Sequence, residues 1–138
     1  MGFVDPLGLD VTIALYPGAF VFGHVGIGVN TLNTTGFYPV ADASNSKILN
    51  GLSVSGVMQS DVQTPIKPIT IPTTPEQDQA IQAAINRRVQ YPGNYRLYDR
   101  NCTTTVRDAL RAGGINTPQT ILPGNLFYNL QQQYRSAQ

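Results

Sequence analysis

The alternation of apolar and polar positions changes character once along the chain, near residue 74. Before that point, short runs rich in β-branched and aromatic residues predict strands. The first is VTIALY (Val11 to Tyr16), stopped by Pro17-Gly18, and the second is AFVFGHVGIGV (Ala19 to Val29), which carries glycines inside it. Interior glycines in a strand mark a bulge or a close approach by another backbone. The turn-rich segment Asn30 to Gly36 leads to Phe37–Val40, the expected hairpin partner, and 41–53 reads as a loop. VSGVMQSDV and PIKPITIP supply one or two further strands. The prolines at 65, 68 and 72 assign the last of these to a sheet edge, because proline cannot donate to a ladder.

After residue 74 the period becomes helical. Thr74 caps, Pro75 suits the first helical position and Gln77 completes a capping box. Ala80, Ile81, Ala84, Ile85 and Val89 then recur at helical spacing until Pro92-Gly93. The short segment NYRLYD follows, then a second helix with Asn101 as cap and Val106, Ala109, Leu110 and Gly113 on one stripe. A last helix, from about Asn125 to Tyr134, offers Leu126, Phe127 and Leu130. The pattern is that of an α+β domain, a small antiparallel sheet from the first half packed against two or three helices from the second.

The 138 residues suit one domain with an ordinary core. Hydrophobic residues make up 41% and charged residues only 12%, so the low charge reflects a packed chain and not a disordered one. A net charge of +1 gives no global reason to bind nucleic acid or anionic membrane. Six arginines (Arg87, Arg88, Arg96, Arg100, Arg107, Arg111) do share one stretch, answered there only by Asp99 and Asp108. Without interleaved aromatics or a binding motif, the stripe reads first as a solvated face. One cysteine excludes an internal disulfide framework, no charged leader precedes an apolar segment, and Ile13 to Val29 is too short and glycine-rich to span a membrane.

Two residues change this picture. Cys102 falls in the first turn of the second predicted helix, where free N–H groups and the helix dipole favour an anion and so the thiolate form. The same N–H groups can hold an oxyanion on an attacked carbonyl. His24 is the single histidine, set in a small and apolar strand, and imidazole suits a base paired to a thiol. The plain alternatives are a buried structural cysteine and a core histidine bonded to backbone. A metal centre lacks ligand spacing, no cofactor is implied, and no Gly-x-Ser-x-Gly elbow supports serine chemistry.

FGHVGIGV (Phe22 to Val29) resembles the histidine strand of NlpC-type cell-wall peptidases, and NCTTTVRDALRAGGI (Asn101 to Ile115) resembles their cysteine helix. The order is reversed, with His24 ahead of Cys102, as in the circularly permuted branch of the papain-like superfamily that includes the lecithin retinol acyltransferase relatives. The resemblance implies a permuted papain-like fold with Cys102 as nucleophile and His24 as general base. It also implies a third residue, on the strand after the histidine, that orients the imidazole. Asn33, Thr34, Thr35 and Tyr38 are in range there; none is the expected His, Asn or Gln, and Thr35 is the candidate. Tyr98, four residues before Cys102, is the candidate oxyanion donor, with Tyr95 as its rival.

A second resemblance lies at the start. VDPLGLD (Val4 to Asp10) is similar to the motif that closes the core shell of Rhs-repeat toxins, where a variable toxin domain follows. It implies that residues 1–10 are a junction remnant and 11–138 a toxin domain, delivered into a neighbouring cell and matched by a cognate immunity protein. The expected activity is cysteine proteolysis of proteins in the target-cell cytoplasm, with the periplasm as the alternative compartment. The alternatives using the same dyad are a peptidoglycan peptidase or amidase and a lipid acyl hydrolase. From other classes come an arginine-dependent nuclease or nucleic-acid-binding toxin and a pure binding module. Neither a nucleic-acid partner nor membrane insertion is expected.

Overall fold

The computed structural model describes residues 10–17, 22–62, 64–65 and 67–135. The junction motif from Val4 to Leu9 and the expected strand start at Ala19 to Val21 lie outside them.

Two apolar runs form the centre of the sheet. Strand β1 (Asp10–Tyr16) pairs antiparallel with β2 (His24–Val29), so that Tyr16 faces His24, Ala14 faces Gly26 and Thr12 faces Gly28. The second strand therefore begins at His24. Before it, Gly23 takes φ +79, a left-handed conformation that interrupts an extended run. Strand β3 (Thr35–Pro39) joins β2 at Ile27↔Thr35, and β4 (Val54–Ser60) joins β3 over its whole length. Strand β5 (Lys67–Pro72) pairs with β1 on the other side. The six-stranded order is β5-β1-β2-β3-β4-β6, where β6 is the pair Asn94–Tyr95, and it leaves the proline-bearing β5 at an edge.

Between β3 and β4 the chain forms a helix, α1 (Asn45–Leu49), where the sequence predicts only loop. Its five residues are too few to show a period, although Ser44 caps it and Ile48 is buried. Helix α2 (Pro75–Gln90) begins with the expected Thr74–Gln77 capping box. The strand β6 (Asn94–Tyr95) adds a two-residue edge from the second half of the chain, too short to leave an alternation in sequence. Helix α3 (Cys102–Ala112) packs on β2, β3 and α2, and α4 (Pro123–Gln133) on β1, β2 and α3.

Strand parity sorts the sheet residues. Val11, Ile13, Leu15, Val25, Ile27 and Phe37 join one core cluster with Ile81, Val106, Leu110, Leu126, Phe127 and Leu130 of the helices. His24, Gly26 and Gly28 have the opposite parity. Carrying the Ile27↔Thr35 register onward sets Gly36 across from Gly26 and Tyr38 across from His24.

Candidate active site

The site is built from that second row. His24 is buried at the start of β2, with Tyr16 of β1 and Tyr38 of β3 on either side. The Tyr38 ring stacks on the imidazole at 4.3 Å between centroids and 19° between planes, and Tyr16 lies tilted at 5.8 Å. Beyond β3, Asp61 directly follows β4, and its N–H donates to the Thr34 carbonyl at 2.9 Å. This pairing brings the Asp61 carboxylate over Gly26 and Gly36. A Cβ on Gly36 would overlap His24 Nε2, and one on Gly26 would overlap Asp61 Oδ2. Gly26 and Gly36 make room for a buried His–Asp pair, a side-chain approach, whereas at Gly28 the close neighbour is the Asn33 backbone carbonyl, as an interior strand glycine predicts.

Three donors converge on the carboxylate. His24 Nε2 donates to Asp61 Oδ1 at 2.9 Å, and the Tyr38 hydroxyl donates to the same oxygen. Thr34 Oγ1 donates to Oδ2 at 2.6 Å. Since Thr34 gives its one proton to Asp61, the Tyr16 hydroxyl, 2.6 Å away, is the donor to Thr34 Oγ1. The Asp61 side chain is 0% exposed, so these bonds stand in for its hydration.

Cys102 completes the group. It is the first residue of α3, buried, and its thiol is within side-chain hydrogen-bonding reach of His24. With Nε2 engaged by Asp61, Nδ1 is the ring nitrogen left to serve the thiol. Burial opposes a charged imidazole, but hydrogen bonds to Asp61 and Cys102, together with their negative charge, outweigh it and carry His24 up to about 9. Tyr38 is pushed up by burial and then by its bond to the Asp61 carboxylate, which keeps its hydroxyl a donor.

The helix start is held firmly. Asn101 Oδ1 accepts from the Thr104 N–H, and Thr104 Oγ1 accepts from the Asn101 N–H, closing a capping box. Asn101 Nδ2 donates to the Leu97 and Ile121 carbonyls, which ties the cap to the loops on both sides. The cap takes the Thr104 N–H, whereas the Cys102 N–H, at the first helical position, belongs to the orphan donors of a helix start.

The fold thus brings Cys102 and His24 together across 78 positions, and it supplies an orienting carboxylate that sequence reasoning misses. Thr35 is not that residue. It pairs with Ile27 and Ser60, on the face of the sheet opposite His24. Of the others weighed for the role, Thr34 reaches the imidazole through Asp61, and Tyr38 meets it both through Asp61 and by stacking on the ring. Tyr98 is drawn elsewhere: it is half exposed, its hydroxyl donates to the Leu49 carbonyl at 2.9 Å, and its ring lies over Gly51 and against Phe22. Tyr95, by contrast, is buried beside Phe37 and close enough to Cys102 for a thiolate to oppose ionisation of its phenol, although burial is the larger cause of its upward shift.

Five of the six arginines have partners within the protein, Arg107 through an ion pair with Asp108 at 3.5 Å and the other four through hydrogen bonds. Arg88 donates to Thr105, Arg96 to Asp99, Arg100 to the Pro92 and Asn94 carbonyls, and Arg111 to Thr117 and Gln119. Arg88 and Arg100 both lie over the Phe37 ring, at 5.1 and 5.3 Å. Among the described residues no group of three or more His, Cys, Asp or Glu is placed to hold a metal, and no helix is long and apolar enough to cross a membrane.

Residues 66–131 match the model of the family described as Lnb N-terminal periplasmic domain. The match covers just under half of the 138 residues. It takes in α2, α3 and most of α4, and therefore Cys102, but leaves out His24 and Asp61. No curated protein and no solved structure matches the chain.

Proposed function

We propose that the protein is a cysteine hydrolase that cleaves amide bonds by acyl transfer, with Cys102 as nucleophile, His24 as general base and acid, and Asp61 as the residue that orients His24. The observation that carries this reading is the buried Cys102–His24–Asp61 sequence of contacts, with the thiol at a helix N-terminus. His24 takes the thiol proton on Nδ1, and the Cys102 sulfur attacks the substrate carbonyl carbon. The carbonyl electron pair moves to oxygen, which the Cys102 N–H steadies. Collapse expels the amine, which takes its proton from His24, and leaves a thioester on Cys102. His24 then deprotonates a water that attacks the thioester, and the thiolate returns. Through these steps Asp61 keeps one imidazole face turned to the sulfur and balances the positive ring.

The substrate we propose first is a protein in the target cell, for a toxin domain following an Rhs-type junction and held in check by an immunity protein that covers the site. A second reading has a specific observation behind it: the matching family is described as a periplasmic domain. In the periplasm the same dyad would meet peptide bonds of the cell wall. Inducible expression with and without an export signal separates the two. Growth arrest in the cytoplasm that is lost in both Cys102→Ala and Asp61→Asn supports proteolysis. Arrest only on export, with released wall peptides, supports the wall enzyme. Toxicity that survives Cys102→Ala overturns both.

A further inference from the structure

Asp61 Oδ1 accepts two hydrogen bonds at once, one from His24 and one from Tyr38, while Oδ2 accepts one from Thr34. The same tyrosine that shares this oxygen with the imidazole also covers the imidazole face, with ring centroids 4.3 Å apart. We propose that Tyr38 is a positioning residue that sets the strength of the His24–Asp61 pair, its hydroxyl and its ring acting in opposite senses. This rests on reading His24 as the base of the site.

The hydroxyl weakens the pair. A carboxylate with no access to solvent distributes its charge among the donors it has, and Tyr38 draws on the oxygen that faces Nε2. Without that hydroxyl, Oδ1 keeps His24 as its donor and holds the imidazolium more tightly. The ring strengthens the pair, since a positive imidazole stacked on an aromatic face is favoured over a neutral one. Tyr38 is partly exposed, so its ring can be changed without opening the core. The titratable groups facing His24 are Tyr16 from β1, Tyr38 from β3, Asp61 after β4 and Cys102 from α3. Of these, Tyr38 alone both bonds to Asp61 and stacks on the ring.

His24 is the single histidine, so its titration is read without assignment from the imidazole NMR signals of the intact protein. Tyr38→Phe removes only the hydroxyl and is expected to raise the midpoint by about 0.5–1 pH unit. Tyr38→Leu removes the ring as well and is expected to titrate about 0.5–1 unit below Tyr38→Phe. Tyr38→Met, similar in length, replaces Leu if that variant does not fold. An unchanged or lowered midpoint in Tyr38→Phe overturns the proposal, as does a Leu or Met midpoint at or above that of Phe. Cys102→Ser, titrated alongside, separates this from the parent reading. A midpoint insensitive to Cys102→Ser sinks the dyad, whereas the shifts at Tyr38 are judged on their own.

Discussion

At the scale of single residues, the site depends on a carboxylate with no route to water. Asp61 is solvated by His24, Tyr38 and Thr34, and each of those bonds is paid for if its partner is removed. Asp61→Asn keeps the volume but loses the charge that supports a positive imidazole. We expect the His24 midpoint to fall from about 9 and hydrolysis to drop by at least about 100-fold, by comparison with other orienting carboxylates. NMR titration and turnover of a reporter peptide check the two effects separately. Gly36→Ala tests the space instead of the charge. Its methyl group would occupy the position of Nε2, so the imidazole must shift, and Cys102-dependent hydrolysis should be lost while the fold survives. Wild-type rates in Gly36→Ala would contradict the site geometry.

At the scale of elements, helix α3 is where local sequence and function meet. Asn101 caps it, donates its own N–H back to Thr104 Oγ1, and satisfies two loop carbonyls besides. Asn101→Ala should destabilise the protein by about 2–3 kcal/mol, more than the roughly 1 kcal/mol of a lone cap, because the Leu97 and Ile121 carbonyls lose a donor. Chemical denaturation checks this. A loss below about 0.5 kcal/mol would show that the loops satisfy themselves. This helix was legible in the sequence because caps and 3.6-residue spacing are local signals, and so were α2, with its Thr74–Gln77 box, and β5, whose prolines require an edge. Asp61 was not legible. Its approach to His24 depends on β4 lying beyond β3, and one acidic residue at a strand end carries no mark of that pairing. The trace it did leave is indirect: glycines 26 and 36 lack side chains on the same face as His24. Parity likewise excludes Thr35, which only the register with Ile27 reveals.

At the scale of the whole molecule, the buried charge on His24 links folding to pH. Its folded midpoint, about 9, lies above the ordinary value of 6.5. The stabilisation is therefore complete below pH 6.5 and is lost as pH rises through 9. We expect the melting temperature to fall over that window in the wild type and to change much less in His24→Ala; equal slopes would contradict a charged buried histidine. The sheet and the helices enter the site together, for β2, β3 and the end of β4 hold the imidazole and carboxylate while α3 holds the thiol. Reactivity of that thiol is accordingly a readout of the assembled fold. The most direct test is the rate of iodoacetamide labelling of Cys102 from pH 5 to 9, in the wild type and in His24→Ala. Comparing the two at each pH cancels the effect of burial. Labelling should already be fast at pH 6 in the wild type and much slower there in the variant. Labelling that rises only near the ordinary thiol range, about pH 8.5, and is the same in both proteins would contradict the Cys102–His24 pair.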